Sequence, residues 1–134
     1  MKKAIGIAGA FVVLCGVAGS ALAQAWPAKP VRMVVGLPPG SGTDITARAI
    51  SERLTAQTGH TFVVENRPGG SGSIAMNFVA KADPDGYTML VMSSSWTVTP
   101  STVPSLPYDT LKDLAGVTML ADIANALAVR ADRD

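Results

Sequence analysis

The sequence is short of the groups that most site chemistries need. It holds one cysteine and one histidine in 134 residues. The cysteine, Cys15, lies inside an apolar N-terminal run and not in the body of the chain, which excludes disulfides and thiolate metal sites there. His60 follows a glycine at an expected helix end, has no second histidine to share a metal, and is expected at an exposed turn. Aromatics make up only 5%, so aliphatic side chains and Met must fill the core. An excess of one charge is also missing, with 11 Lys+Arg against 10 Asp+Glu. No basic field is available to steer nucleic acid or an anionic membrane surface.

The N-terminus has a clear layout. Lys2 and Lys3 precede an uncharged, mostly apolar run over 4–19, followed by small residues spaced by two at Ala21, Ala23 and Ala25. This is the three-part pattern of a secretory signal peptide over 1–25, with cleavage expected after Ala23 or Ala25. The run falls short of the roughly 20 apolar residues of a membrane span. Leu14, ahead of Cys15, is too large for lipoprotein processing. Setting Lys2 and Lys3 aside leaves nine Lys+Arg against ten Asp+Glu, close to neutral. The expected compartment is the periplasm, and 26–134 is the folding unit, enough for one modest core.

Residues 31–37 (VRMVVGL) form a short Val-rich run that suits a strand buried on both faces. Residues 44–58 read as a helix with Ala47, Ile50 and Leu54 on one face, Ser41 or Thr43 as cap and Gly59 at its end. Residues 61–65 are a second strand. The loop 66–72 opens onto a second helix over 73–82, whose apolar face holds Ile74, Ala75, Phe78, Val79 and Ala82. Asp83-Pro84-Asp85-Gly86 is a turn, and 87–92 a third buried strand. Beyond it, 93–107 is irregular, 111–114 a short helix, and 117–120 and 126–129 are weaker strands. Strand, glycine loop, helix, twice over, predicts an α/β layer with a parallel sheet. Right-handed crossovers set both glycine loops at its carboxyl edge. A strand order 2-1-3 would open a crevice there.

Three chemistries compete for these loops. A phosphate-binding P-loop needs Gly-Lys-Ser/Thr, and neither loop has the lysine. Gly70-Ser71-Gly72-Ser73-Ile74-Ala75 fits the dinucleotide pattern G-x-G-x-x-A, but Ser93 stands where a ribose-binding acid is wanted. A plain anion site asks only for free helix-start amides and hydroxyls. The bland alternative is a pair of tight turns with Gly at positive φ. Two loops at one edge, with Ser93-Ser94-Ser95 beside them, favour the anion site. Its candidate residues are Gly40, Ser41, Gly42 and Thr43, then Gly69, Gly70, Ser71, Gly72 and Ser73, with Ser94 and Ser95. Asp44 would repel an anion and is expected to cap or point aside. Arg67 is either a bidentate partner for a carboxylate or a solvated loop charge. No G-x-S-x-G nucleophile elbow is present in the loops, although an exported hydrolase or nucleotide-binding enzyme, or a fragment without function, stays open as the alternative.

The chain resembles the periplasmic substrate-binding proteins of tripartite tricarboxylate transporters, the Bug receptor family. The residues that carry this are Trp26-Pro27-Ala28-Lys29-Pro30-Val31, Pro39-Gly40-Ser41-Gly42-Thr43-Asp44 with Ala47-Arg48, and Val64-Glu65-Asn66-Arg67-Pro68-Gly69. Pro84-Asp85-Gly86-Tyr87-Thr88, Leu106-Pro107-Tyr108-Asp109 and Lys112-Asp113-Leu114 follow in order. The resemblance implies a non-enzymatic, two-lobed receptor of the type II periplasmic-binding-protein class. It would bind a small di- or tricarboxylate without a cofactor or metal and deliver it to membrane permease subunits. It places a ligand carboxylate at loops 39–43 and 68–73. Family members are about twice as long, so the chain is expected to supply most of one lobe, with the second lobe missing.

Overall fold

The computed structural model describes residues 26–103, 105–122 and 128. The expected signal peptide, the strand expected over 126–129 and the last residues fall wholly or mostly outside them, as does the side chain of Ser95. Three parallel strands form one sheet: β1 (Val31–Val35), β2 (Phe62–Asn66) and β3 (Thr88–Val91), in the order β2-β1-β3. Val31 pairs with Phe62 and Val35 with Asn66, while Arg32 pairs with Thr88 and Val35 with Val91. The chain reverses direction after β2, so the crevice expected at the switch point sits at the carboxyl end of β1.

Alternation along β1 sends its residues to two faces. Val31, Met33 and Val35 pack with Phe62, Val91 and Ala47, the last from α1 (Gly42–Thr58). Burying each valine contributes about 1.5–3 kcal/mol. Val34, also fully buried, faces the other way, toward α2 (Ser73–Ala80). Ser41 caps α1, its Oγ accepting from Asp44 N–H at 3.3 Å. Gly59 closes it in the left-handed conformation, its N–H donating to Thr55 O at 3.0 Å.

Several expectations change. The buried stripe of α1 is Thr43, Asp44, Ala47 and Ser51, with Ile50 and Leu54 only half-buried, because the first turn is held down onto the sheet edge by polar bonds. α2 ends at Ala80, two residues early; Asp83 precedes Pro84, and a residue before proline avoids the helical region. Ile74 is 52% exposed, and Met76 takes the buried position. Ile74 lies against Gly69, where a Cβ would stand 2.7 Å from its Cδ1, so loop geometry and not helical periodicity directs it. Residues 93–107 contain a 3-10 turn, Ser94–Thr97, and a one-turn helix α3 (Thr99–Thr102). Residues 110–112 are a turn where a helix over 111–114 was expected. Residues 117–120 pair with no described strand and expose Val117 and Met119. Tyr108 is buried, its hydroxyl donating to Met76 Sδ at 3.4 Å, which anchors Tyr108 against α2.

Candidate functional site

The two glycine loops leave the carboxyl ends of β1 and β2 side by side. In the first, Gly40 takes a φ of 82° and turns the chain into α1. In the second, Gly70, Ser71 and Gly72 have φ values of 54°, 54° and 88°, a run of left-handed residues that forms the 3-10 turn Gly70–Gly72. Ser71 is the only non-glycine at positive φ among the described residues. A left-handed L-residue costs roughly 1–2 kcal/mol, and such strain concentrates at functional loops.

Many of the candidate amides are engaged. Gly40 N–H donates to Asp44 Oδ2 at 2.9 Å and Ser41 N–H to Pro38 O at 3.2 Å. Gly72 N–H donates to Gly69 O at 2.9 Å, and Ser73 N–H to Gly70 O. The amides of Gly42, Thr43, Gly70 and Ser71 have no partner among the described residues. The first two are the orphan donors of a helix start, at the positive end of its dipole. Gly42, Gly70 and Ser71 are exposed, and Ser41 and Ser73 half-buried. Thr43 is 5% exposed, but its hydroxyl is not among the buried side-chain atoms left without a partner, so its hydroxyl stays a candidate donor beside its amide. Ser41 still has its O–H to donate, because the cap uses its oxygen only as an acceptor. Ser94 is exposed at the head of the 3-10 turn after β3.

Gly72 serves packing more than contact. It is buried, and a Cβ there would overlap Met92 Cε. A Cβ on Gly36 would overlap Met92 Sδ. Met92, just past β3, therefore wedges between the two loops and needs a glycine on each side.

Asp44 joins the loops through polar bonds. Its Oδ2 accepts from Gly40 N–H and, at 3.0 Å, from Arg48 Nε; its Oδ1 accepts from Asn66 Nδ2 at 2.8 Å. Asn66 also donates to Leu37 O at 3.1 Å and accepts from Arg48 Nη2 at 3.1 Å. The Arg48 bond, then those of Gly40 and Asn66, hold the Asp44 carboxyl well below the usual carboxylate range, and the same pairing raises Arg48. Of the two expectations for Asp44, pointing aside is the outcome: it turns back into the protein, while Ser41 does the capping. Sequence reasoning missed Asn66 and Arg48 as its partners. The period of two from Phe62 through Val64 was the available signal, since it puts Asn66 on the α1 face beside the first turn.

Arg67 takes the other face. Its guanidinium meets Glu65 Oε1 at 2.7 Å and stacks 3.7 Å from the Phe78 ring centroid. It lines a groove of about 720 Å³ beside α2, with Arg32, Phe78 and Lys81. That groove runs along the sheet face, away from the loop amides. Arg32 and Arg67 there are paired with Glu65, and Lys29 with Asp85. The loops hold the unsatisfied amides, so the loops are the better candidate site.

Comparison with known proteins follows the same lines. The family model described as "Tripartite tricarboxylate transporter family receptor" matches residues 46–134. The chain is 39% identical over 125 residues to the protein BugT of Bordetella pertussis, covering 92% of this chain and 38% of that protein. It is 45% identical over 113 residues to an uncharacterised Bordetella bronchiseptica protein, covering 84% and 34%. The chain thus spans little more than a third of the length of these relatives. A solved structure of a periplasmic transporter superposes with a TM-score of 0.62 at 41% identity, over 66% of this chain and 30% of that one. MatC of Rhodopseudomonas palustris, solved with bound malate, gives 0.60 at 32% identity over the same shares.

Proposed function

The chain belongs to the tripartite tricarboxylate transporter receptor family, and from that premise we propose that it forms the carboxylate-gripping part of an extracytoplasmic solute receptor. Residues 1–25 direct export to the periplasm and are removed; residues 26–134 supply most of one lobe. The ligand is a small di- or tricarboxylate, in line with the malate bound by MatC. One of its carboxylates accepts from the amides of Gly42, Thr43, Gly70 and Ser71. Hydroxyls of Ser41, Ser71 and Ser73 add donors, with Ser94 at the rim. The receptor is not an enzyme, and it hands its ligand to membrane permease subunits.

The observation that carries this reading is the set of four unpartnered amides on two loops at one sheet edge, one pair at a helix start. Such donors suit an oxyanion without any lysine or metal. Both nearby arginines are already paired, so the site offers neutral donors. The test is calorimetric titration and thermal-shift measurement of the full chain against malate, succinate, citrate and a dinucleotide. Saturable binding of a carboxylate with no response to the dinucleotide is expected. A response to the dinucleotide alone, or to none of the four, would sink the reading.

A further inference from the structure

Asp44 sets a physical contradiction at this site. It is 2% exposed in the first turn of α1, where it favours the helix dipole yet opposes a nearby anion. Its surroundings resolve the conflict. Donors enclose both of its oxygens, and Asp44, Arg48 and Asn66 close a three-membered ring of bonds. The ring reaches Gly40 and Leu37 on the first loop. It also includes Asn66, the last residue of β2, whose neighbour Arg67 extends the ladder to Val35 O at 2.8 Å and begins the second loop. A single buried carboxylate therefore ties both halves of the grip together.

We infer that Asp44, acting with Asn66, is a positioning residue that sets the spacing of the two loops, so that their free amides converge on one ligand carboxylate. The ligand part of this inference rests on the function proposed above; the loop-coupling part does not. Two physical roles for Asp44 predict opposite signs. A bare negative charge beside the site weakens anion binding, so removing it should tighten binding. A positioning residue turned inward does the reverse. Asp44→Asn keeps the shape but sets an amide donor against either Asn66 Nδ2 or the Gly40 and Arg48 donors, and either way breaks the ring. Asn66→Ala breaks the same ring with the Asp44 charge left in place.

The experiment uses the full chain and the variants D44N, N66A and the double variant. Hydrogen exchange is followed without ligand, and malate, succinate and citrate are titrated in parallel. Each single variant is expected to speed exchange about tenfold at the bonded loop amides of Gly40, Ser41, Arg67 and Gly72, with 31–35 and 55–58 changing less than about threefold. Carboxylate affinity should fall about tenfold in each, and the double variant should be no worse than the singles, as coupled residues require. Tighter binding in D44N, an unchanged second loop, or a uniform acceleration across the chain would each overturn the inference. If the wild type binds none of the three acids, the proposed function fails, while the exchange arm still decides whether Asp44 couples the loops. Should D44N fail to fold, N66A carries both measurements.

Discussion

The Met92 wedge is open to a quantitative test through its two flanking glycines. Alanine at Gly72 meets two penalties. Its φ of 88° is left-handed, which costs an L-residue about 1–2 kcal/mol. Its Cβ would also overlap Met92 Cε, and overpacking costs about 1–3 kcal/mol. The lower half of that range applies, because Met92 is half-buried and its thioether end is flexible. The total for Gly72→Ala is about 2–4 kcal/mol. Alanine at Gly36 meets only a steric penalty, chiefly against Met92 Sδ and, at 3.3 Å, against Ala75 Cβ, since its φ lies outside the left-handed region. Gly36→Ala should therefore cost about 1–2 kcal/mol. Combining each with Met92→Ala makes room for the new methyl. In double-mutant cycles the coupling should be of similar size for both glycines and should cancel the steric part alone. A residual penalty of about 1–2 kcal/mol would persist at Gly72, against a smaller one at Gly36 from the Ala75 Cβ contact at 3.3 Å. Urea unfolding with linear extrapolation measures all five variants. No coupling to Met92 would refute the wedge, and equal costs at the two glycines would refute the left-handed penalty at Gly72.

Acid titration of stability tests the Asp44 ring. Hydrogen bonding from Arg48, then Gly40 and Asn66, lowers the folded carboxyl below its ordinary value of 3.8. The unfolded chain binds a proton there that the folded chain refuses. The contribution is therefore complete above about pH 5 and is lost as pH falls toward the folded value. Asp85, bonded by Tyr87 N–H and Lys29, shifts the same way; the urea midpoint of D44N should thus fall less than that of the wild type between about pH 5 and 3, and an equal fall would refute the assignment. Carboxylate affinity should change less than about threefold between about 0.05 and 0.5 M salt, because the proposed donors are neutral and screening acts on charges; a tenfold loss in calorimetry would point to a cation in the site. Ser41→Ala should lose about 0.5–2 kcal/mol with the α1 cap, while Ser41→Asp keeps the cap but weakens carboxylate binding, a split that thermal unfolding and titration read separately.

Local chemistry made part of this molecule legible in its sequence. The nearly continuous apolar run VRMVV, the serine and glycine that bracket α1, and the Asp-Pro-Asp-Gly turn act within a few residues, so element types and the β2-β1-β3 option could be reasoned out. The positions of the glycine loops followed from crossover handedness. Features that depend on a neighbour remote in sequence stayed hidden. Ile74 looked like core on periodicity, yet the loop at Gly69 turns it outward. Residues 117–120 have strand composition but no described partner, and a strand is made by pairing and not by composition alone. Arg67 was as plausible on a ligand as in solvent until Glu65 and Phe78 were found around it.

The sequence by itself determined the class of site. Two glycine loops without a lysine, an acid or a catalytic base leave neutral backbone donors, and those suit an oxyanion whatever the detailed packing. Only the tertiary structure decided which donors remain free. That depends on where Asp44, Asn66 and Met92 point, and so on bonds across 22 residues from Asp44 to Asn66 and on a methionine wedged between glycines of two loops. Hydrogen bonds and packing act over a few ångströms in space, whatever the separation along the chain. A sequence pattern can therefore announce a loop of amides, but only the packed fold selects Gly42, Thr43, Gly70 and Ser71 from among them.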